Sequence, residues 1–336
     1  MSRVFIIAEA GVNHNGSTDL ALRLIDAAQA SGADAVKFQT FRADLLATPA
    51  AHKAPYQERT TTKTESQFEM LRRLELDAAA HQRLIEHCRQ VGIQFLSSPF
   101  DLQSADLLAS MDVPLFKVPS GEITNHPLLE HIARKGRPVI LSTGMSTLDE
   151  VEEAVQLIRA AGNSQLTLLH CVTEYPAPYA DVNLRAMQTL KSSFGLPVGY
   201  SDHTPGIEIA IAAVAMGAVV IEKHFTLDRS LPGPDHAASL EPAELQQMVT
   251  AIRNVEAAFG TGIKAPAPCE LPNLSVARKS VVAARALTAG YRLTAGDLDI
   301  KRPGNGLAPK LLPALVGRVL RSDVAKDGVL TWDHLA

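Results

Sequence analysis

The chain has 336 residues, 46% of them apolar, and a formal net charge of −4, which gives material for one large domain or a large and a small one and no general basic field to hold nucleic acid. Its longest apolar run, 209–221, is shorter than the ~20 residues a membrane helix needs and is interrupted by Gly217. Three widely spaced cysteines, Cys88, Cys171 and Cys269, form neither a disulfide framework nor a CxxC zinc pair, and Glu9 inside the first apolar run makes a poor signal peptide; both features suit a cytoplasmic protein.

Short β-branched runs alternate with amphipathic segments from Val4 to about Ala258. The predicted strands are Val4–Ala8, Ala35–Phe38, Gln94–Ser97, Leu115–Val118, Pro138–Leu141, Leu166–Leu169, Pro197–Gly199 and Val219–Ile221. The predicted helices are Asp19–Ala30, Ala78–Val91, Ser104–Ser110, Leu148–Ala161, Ile207–Met216 and Pro242–Phe259, several opened by a capping residue such as Ser17, or Thr147 followed by Glu150. Strict alternation implies a parallel sheet covered by helices. Eight strands in roughly 250 residues is the usual size of a (β/α)₈ TIM barrel. A doubly wound open sheet is the alternative, but no glycine-rich phosphate loop follows the first strand. The barrel pattern stops near Gly262, a Pro-rich stretch at 263–276 reads as a linker, and 277–336 forms a small second domain of short strands and turns. A domain of that size is marginal alone and is expected to pack on the barrel or on another subunit.

TIM-barrel active sites lie at the C-terminal ends of the strands. Each predicted strand here ends in polar or ionisable residues. In order they are Glu9 with Asn13 and His14; Lys37 and Gln39; Ser97 and Ser98; Lys117, Ser120 and Glu122; Ser142 and Thr143; His170, Cys171, Thr173 and Tyr175; Ser201, Asp202 and His203; Glu222, Lys223 and His224. A barrel core would not select such residues, because a buried charge costs several kcal/mol unless paired. Lys37 and Lys117, on different strands, suit an anion with phosphate or carboxylate groups. A structural ion pair, Lys117 with Glu122 or Lys37 with Glu9, is the competing reading. His203 and His224 end adjacent strands and can converge on one catalytic divalent metal, with Glu9 or Asp202 as supporting partners. His81, His87, His126 and His131 read as structural or solvated. Asp235, in a Gly-Pro-Asp-His loop, and Arg302, in a rigid basic turn, are further candidates for binding hydroxyls and a carbonyl or anion.

These stretches together resemble one family, the sialic acid synthases. The resemblance rests on IAEAGVNHNGS (Ile7–Ser17), AVKFQTF (Ala35–Phe41), FLSSPFD (Phe95–Asp101), FKVPSGE (Phe116–Glu122), ILSTGMS (Ile140–Ser146), HCVTEYPAP (His170–Pro178), YSDHT (Tyr200–Thr204), EKHFTLD (Glu222–Asp228), GPDHAASLEP (Gly233–Pro242) and KRPGNG (Lys301–Gly306). It implies a TIM barrel followed by an antifreeze-like (SAF) domain, a domain-swapped homodimer, and condensation of phosphoenolpyruvate with an N-acylated mannosamine-type sugar. It implies a divalent metal, Mn²⁺ first with Mg²⁺ or Co²⁺ as alternatives, on His203 and His224. Lys37, Ser98, Lys117, Ser120 and Thr173 match positions around phosphate and carboxylate, and Glu9 and Tyr175 positions near the reacting centre. Glu122 is the candidate base for water, Asp235 a sugar-hydroxyl ligand, and Arg302 the arginine supplied by a partner subunit. Two departures bear on the sugar: Arg59-Thr60-Thr61-Thr62 stands where parts of the family carry an asparagine, and Val172-Thr173 replaces asparagine-containing versions of the turn after strand six. The leading expectation is an N-acetylneuraminate synthase using N-acetylmannosamine. A legionaminate synthase using 2,4-diacetamido-2,4,6-trideoxymannose is the sister reading. A metal-dependent aldolase leaves two mouth lysines unexplained, and a non-enzymatic carbohydrate- or ice-binding protein leaves the polar strand ends unexplained.

Overall fold

Eight runs of mostly aliphatic residues form the parallel strands β1 (Phe5–Gly11), β2 (Ala35–Thr40), β3 (Gln94–Pro99), β4 (Phe116–Val118), β5 (Val139–Ser142), β6 (Leu166–Cys171), β7 (Val198–Asp202) and β8 (Val220–His224) in a computed structural model that describes residues 3–62 and 64–336. Ladders run in the order β3-β2-β1-β8-β7-β6-β5-β4. β3 and β4 lie side by side at the seam with no ladder among the described residues, so the sheet curls into a nearly closed barrel. The predicted TIM barrel is the fold observed.

Every strand but β4 runs further toward its C-terminus than its hydrophobic run suggested. Glu9, Lys37, Ser98, Cys171, Ser201, Glu222 and His224 therefore stand on the strands themselves, whereas Ser120, Glu122, Thr173, Tyr175 and His203 lie in the segments that follow. Strand periodicity then sorts them. Ile7, Ala35, Leu96, Ile140, Leu169 and Val220 point inward and pack together as an apolar layer. Two residues on, Glu9, Lys37, Ser98, Ser142, Cys171 and Glu222 share that inward parity and form a polar layer above it. The intervening residues, such as Ile6, Ala8, Val36 and Phe38, face outward and are buried under helices.

The helices form where local signals predict. Ser17 accepts from the Leu20 amide to start Thr18–Ala30, whose Ala21, Leu24, Ile25 and Ala28 make one buried face. Thr147 and Glu150 form a capping box on Leu148–Ala160. The sequence reading did not delimit His126–Ala133 and Ala186–Phe194, nor the short helices Ala43–Leu46, Pro55–Thr60 and Gln67–Leu74 inserted between β2 and β3. No helix among the described residues is long and apolar enough to cross a membrane.

The chain divides into two units, Met1–Phe259 and Gly260–Ala336. In the second, the stretch expected as linker holds a 3₁₀ turn, Pro268–Glu270, and the helix Leu271–Ala277. Strands β9 (Ser280–Ala283) and β10 (Leu298–Lys301) pair antiparallel over a core that includes Val281, Leu287, Leu293, Leu315, Leu320 and Leu330.

Candidate active site

The polar layer opens into a cavity of about 320 Å³ at the C-terminal end of the barrel. Ten of the twelve predicted site residues line it: Glu9, Lys37, Ser98, Lys117, Ser120, Glu122, Thr173, Tyr175, His203 and His224. Asp235 stands at its edge, with Oδ2 3.9 Å from His224 Nδ1. Arg302 lies in the second unit, where its Nε donates to the Ala277 carbonyl at 3.0 Å.

Two buried lysines and two buried carboxylates make one network. Lys37 Nζ lies 2.9 Å from Glu9 Oε2 and 3.6 Å from Glu222 Oε2, and donates to Ser98 Oγ at 3.1 Å. Lys117 Nζ lies 3.3 Å from Glu222 Oε1, which also accepts from Ser201 Oγ at 3.0 Å. The Lys37–Glu9 pair considered as a structural alternative is therefore present. The Lys117–Glu122 pair is not; Lys117 turns inward to Glu222, while Glu122 accepts from Asn125 Nδ2 at 2.7 Å. Burial alone would raise Glu222, but Lys117 and Lys37 pull it down to about 2, so it is a firm anion. Burial raises Glu9, against the pull of Lys37. Burial also lowers Lys117, whereas the two carboxylates outweigh it at Lys37 and raise that amine. The network holds two amines against one firmly ionised carboxylate, which prepares it for an anion.

Three hydroxyl and thiol groups flank the lysines. Ser120 Oγ accepts from the Gly144 amide at 2.9 Å and lies 3.1 Å from Cys171 Sγ. Thr173 Oγ1 is buried without a hydrogen-bond partner among the described residues.

Beside the network stand the imidazoles of His203 and His224, ring centroids 5.5 Å apart. Burial drives His203 down to about 4 and His224 well below its usual value, so both are neutral near pH 7 with a lone pair available. His203 Nδ1 donates to the Val172 carbonyl at 2.5 Å, which leaves Nε2 unprotonated toward the cavity. His224 Nδ1 is buried and makes no hydrogen bond among the described residues. This donor set fits a divalent ion in part: two imidazoles converge, yet among the described residues no group of three His, Cys, Asp or Glu side chains is gathered around a metal-sized point. A catalytic ion here would keep positions open for water and substrate. Asp202, offered above as a supporting carboxylate, does not contribute. It has outward parity on β7 and pairs with outward Lys223 at 2.8 Å.

The Tyr175 ring packs 4.3 Å from that of His203 and 5.3 Å from that of His224. Burial pushes its phenol well above the usual range, so it stays a neutral donor. Burial also lifts Asp235 to about 6. Of the four histidines read as structural or solvated, His81 bonds Thr40 Oγ1 at 2.7 Å, His87 and His131 meet Asp26 and Asp106, and His126 lies 3.9 Å from Glu153 Oε2.

A model of the NeuB family matches residues 24–264, and one of the SAF domain matches 278–336. The chain belongs to the NeuB family. It is 50% identical to the N,N'-diacetyllegionaminic acid synthase of Campylobacter jejuni over 98% of this chain and 99% of that one. It is 38% identical to the human N-acetylneuraminate-9-phosphate synthase over 97% of this chain and 91% of that one. Among solved structures, the N-acetylneuraminic acid synthetase of Leptospira borgpetersenii, crystallised with citrate, is 39% identical and superposes with a TM-score of 0.71 over 81% of this chain and 90% of that one.

Several wall residues of this family member were not singled out from the sequence. Glu222, Ser201, Gln39 and Cys171 were visible as strand-end residues but had no assigned role. Leu46, Tyr56, Gln57, Gln67 and Leu71 line the cavity from the β2–β3 insert. The helix Pro55–Thr60 is too short to show periodicity, and only Pro55 at its first position marks its start.

Proposed function

We propose that this chain condenses phosphoenolpyruvate with the open-chain aldehyde of an N-acylated mannosamine-type sugar, and that its acceptor is 2,4-diacetamido-2,4,6-trideoxymannose. The observation that carries the reaction is the Lys37–Glu222–Lys117 network, with Ser98, Ser120 and Thr173 around it, beside two neutral histidines. The acceptor choice is supported by the 50% identity to the C. jejuni synthase against 39% to the Leptospira N-acetylneuraminic acid synthetase, which moves the diacetamido sugar ahead of the N-acetylmannosamine expected first.

In this reading the lysines and hydroxyls hold the phosphate and carboxylate of phosphoenolpyruvate. Carbon 3 of the enol attacks the aldehyde carbon, and the aldehyde oxygen takes up a proton. Water adds to carbon 2, and the C–O bond to phosphate breaks. Glu122, raised by burial, takes the water proton. Glu9 and Tyr175 orient the reacting centre, and Asp235 receives a sugar hydroxyl. His203 and His224 would hold a divalent metal, Mn²⁺ first with Mg²⁺ or Co²⁺ as alternatives, which supplies Lewis-acid polarisation of the aldehyde. Arg302 of the partner subunit in a swapped homodimer contacts the N-acyl group.

The test measures phosphate release from phosphoenolpyruvate with each sugar, before and after EDTA. Release is expected only with an acylated mannosamine sugar, faster with the diacetamido one, and lost on chelation until Mn²⁺ is restored. Release undiminished by EDTA removes the metal role, and no release with either sugar removes the reaction.

A further inference from the structure

The cavity has two chemically different walls. The strand-end wall carries the charges. The insert between β2 and β3 contributes Leu46, Tyr56, Gln57, Gln67 and Leu71, all neutral. That wall suits amide groups and apolar carbons rather than a phosphorylated sugar tail.

Within it, one phenol has an assigned direction. Gln57 Oε1 accepts from the Ala54 amide at 3.0 Å, which fixes the carboxamide, and its Nε2 donates to Tyr56 Oη at 3.3 Å. The Tyr56 oxygen thus already accepts, and its own proton has no acceptor among the described residues. Burial raises the Tyr56 pKa, so that proton is retained.

The segment that carries the ring is tied down at its C-terminal end. Lys53 Nζ, itself buried, donates to Thr61 Oγ1 at 2.9 Å and to the Thr62 carbonyl at 2.6 Å. The single proton of Thr60 Oγ1 is shared between the Tyr56 carbonyl of its own helix at 3.1 Å and the Pro234 carbonyl at 3.2 Å, which brings the insert against the loop of Asp235. The Tyr56 ring lies 4.9 Å from Tyr175, which lies 4.3 Å from His203. In an open-chain sugar whose aldehyde sits by the histidines, C4 stands three carbon–carbon bonds from C1, and the oxygen of a C4 acetamido group lies three bonds further along, toward the wall that carries Tyr56.

We infer that the Tyr56 hydroxyl donates to the carbonyl oxygen of the acceptor's C4 acetamido group, so that Pro55–Thr60 is the element that separates a diacetamido sugar from N-acetylmannosamine. A C4 hydroxyl extends two bonds less from the sugar chain than an acetamido carbonyl oxygen does, and lacks that carbonyl acceptor. The inference rests on the reaction proposed above and adds to it a selectivity residue.

The experiment compares Tyr56→Phe and Gln57→Leu with wild type on both sugars, reading kcat/KM for each and KM for phosphoenolpyruvate. Tyr56→Phe is expected to lower kcat/KM for the diacetamido sugar about tenfold to a hundredfold, while N-acetylmannosamine changes less than about threefold. Gln57→Leu moves the same way by less, because it frees the phenol without removing it. An unchanged KM for phosphoenolpyruvate certifies the barrel, and if the Phe variant loses it, Gln57→Leu carries the comparison. Equal losses on both sugars, or none on either, overturn the inference. Absence of wild-type turnover with both sugars instead overturns the reaction, and this inference with it.

Discussion

Gly144 offers a sharp test of the proposed phosphate subsite. A Cβ at this position would stand 2.4 Å from Thr173 Oγ1, 2.9 Å from Ser120 Oγ and 3.0 Å from Cys171 Sγ. Ordinary carbon contacts need ~3.5 Å, so the Thr173 hydroxyl must retreat by roughly 1 Å. Gly144 is not among the positive-φ positions, so alanine suits its backbone and the clash is purely with side chains. Overpacking of this kind costs about 1–3 kcal/mol, and each kcal/mol lowers Tm by roughly 2–4 °C in a domain this large. A misplacement near 1 Å in a catalytic arrangement costs about a hundredfold in rate. In a steady-state phosphate-release assay Gly144→Ala should therefore raise KM for phosphoenolpyruvate at least about tenfold and lower kcat/KM about a hundredfold, with KM for the sugar little changed. Gly136→Ala is the control. Its Cβ meets open space but its φ is +69°, so it should cost about 1–2 kcal/mol of stability and leave every KM alone. A Gly144→Ala enzyme with wild-type KM for phosphoenolpyruvate would refute the assignment of Ser120 and Thr173.

Glu222→Gln removes the firm anion between Lys37 and Lys117 and should destabilise the barrel by roughly 3–5 kcal/mol. Millimolar inorganic phosphate should recover part of that loss in a thermal melt, and a melt indifferent to phosphate would count against an anion clamp. His14, buried with Nδ1 accepting from the Gly16 amide at 3.0 Å, is pushed by burial down to about 3. Its unfolded form takes a proton near pH 6.5, so its contribution is complete above that pH and drains away as pH falls toward 3, reaching roughly 2 kcal/mol lost at pH 5. His14→Asn, which keeps an acceptor for Gly16, should flatten the dependence of Tm on pH between 7 and 5; an unaltered slope would contradict it.

The alternation of strands and helices was legible because core burial imposes period 2 and period 3.6 on apolar residues. Strand ends were not, since Lys37, Ser201 and Glu222 interrupt the apolar signal while the backbone ladder continues through them. The charge pairing was legible only in part. Lys37 meets Glu9 across neighbouring strands, but Lys117 on β4 meets Glu222 on β8 across the barrel, a contact that chain distance hides and that local reasoning replaced with Glu122. Asp202 was misread because its parity on β7 is one off from that of His203. Tyr56 and Gln57 went unseen because a six-residue helix carries too little pattern to announce a wall.

The seam between β3 and β4 carries one more consequence. Backbone bonding stitches the other seven junctions and leaves this one to side-chain packing. Amide hydrogens there make no ladder bond among the described residues, so hydrogen exchange is expected to be fastest at this junction. Lys117 rides on β4, the shortest stave, and Lys37 on β2, the stave beyond β3. An anion gripped by both amines bridges the unstitched gap from inside, like a hoop drawn tight. Under the proposed anion clamp, closing the barrel and holding the ligand would be one linked equilibrium, and ligand should slow hydrogen exchange at the seam.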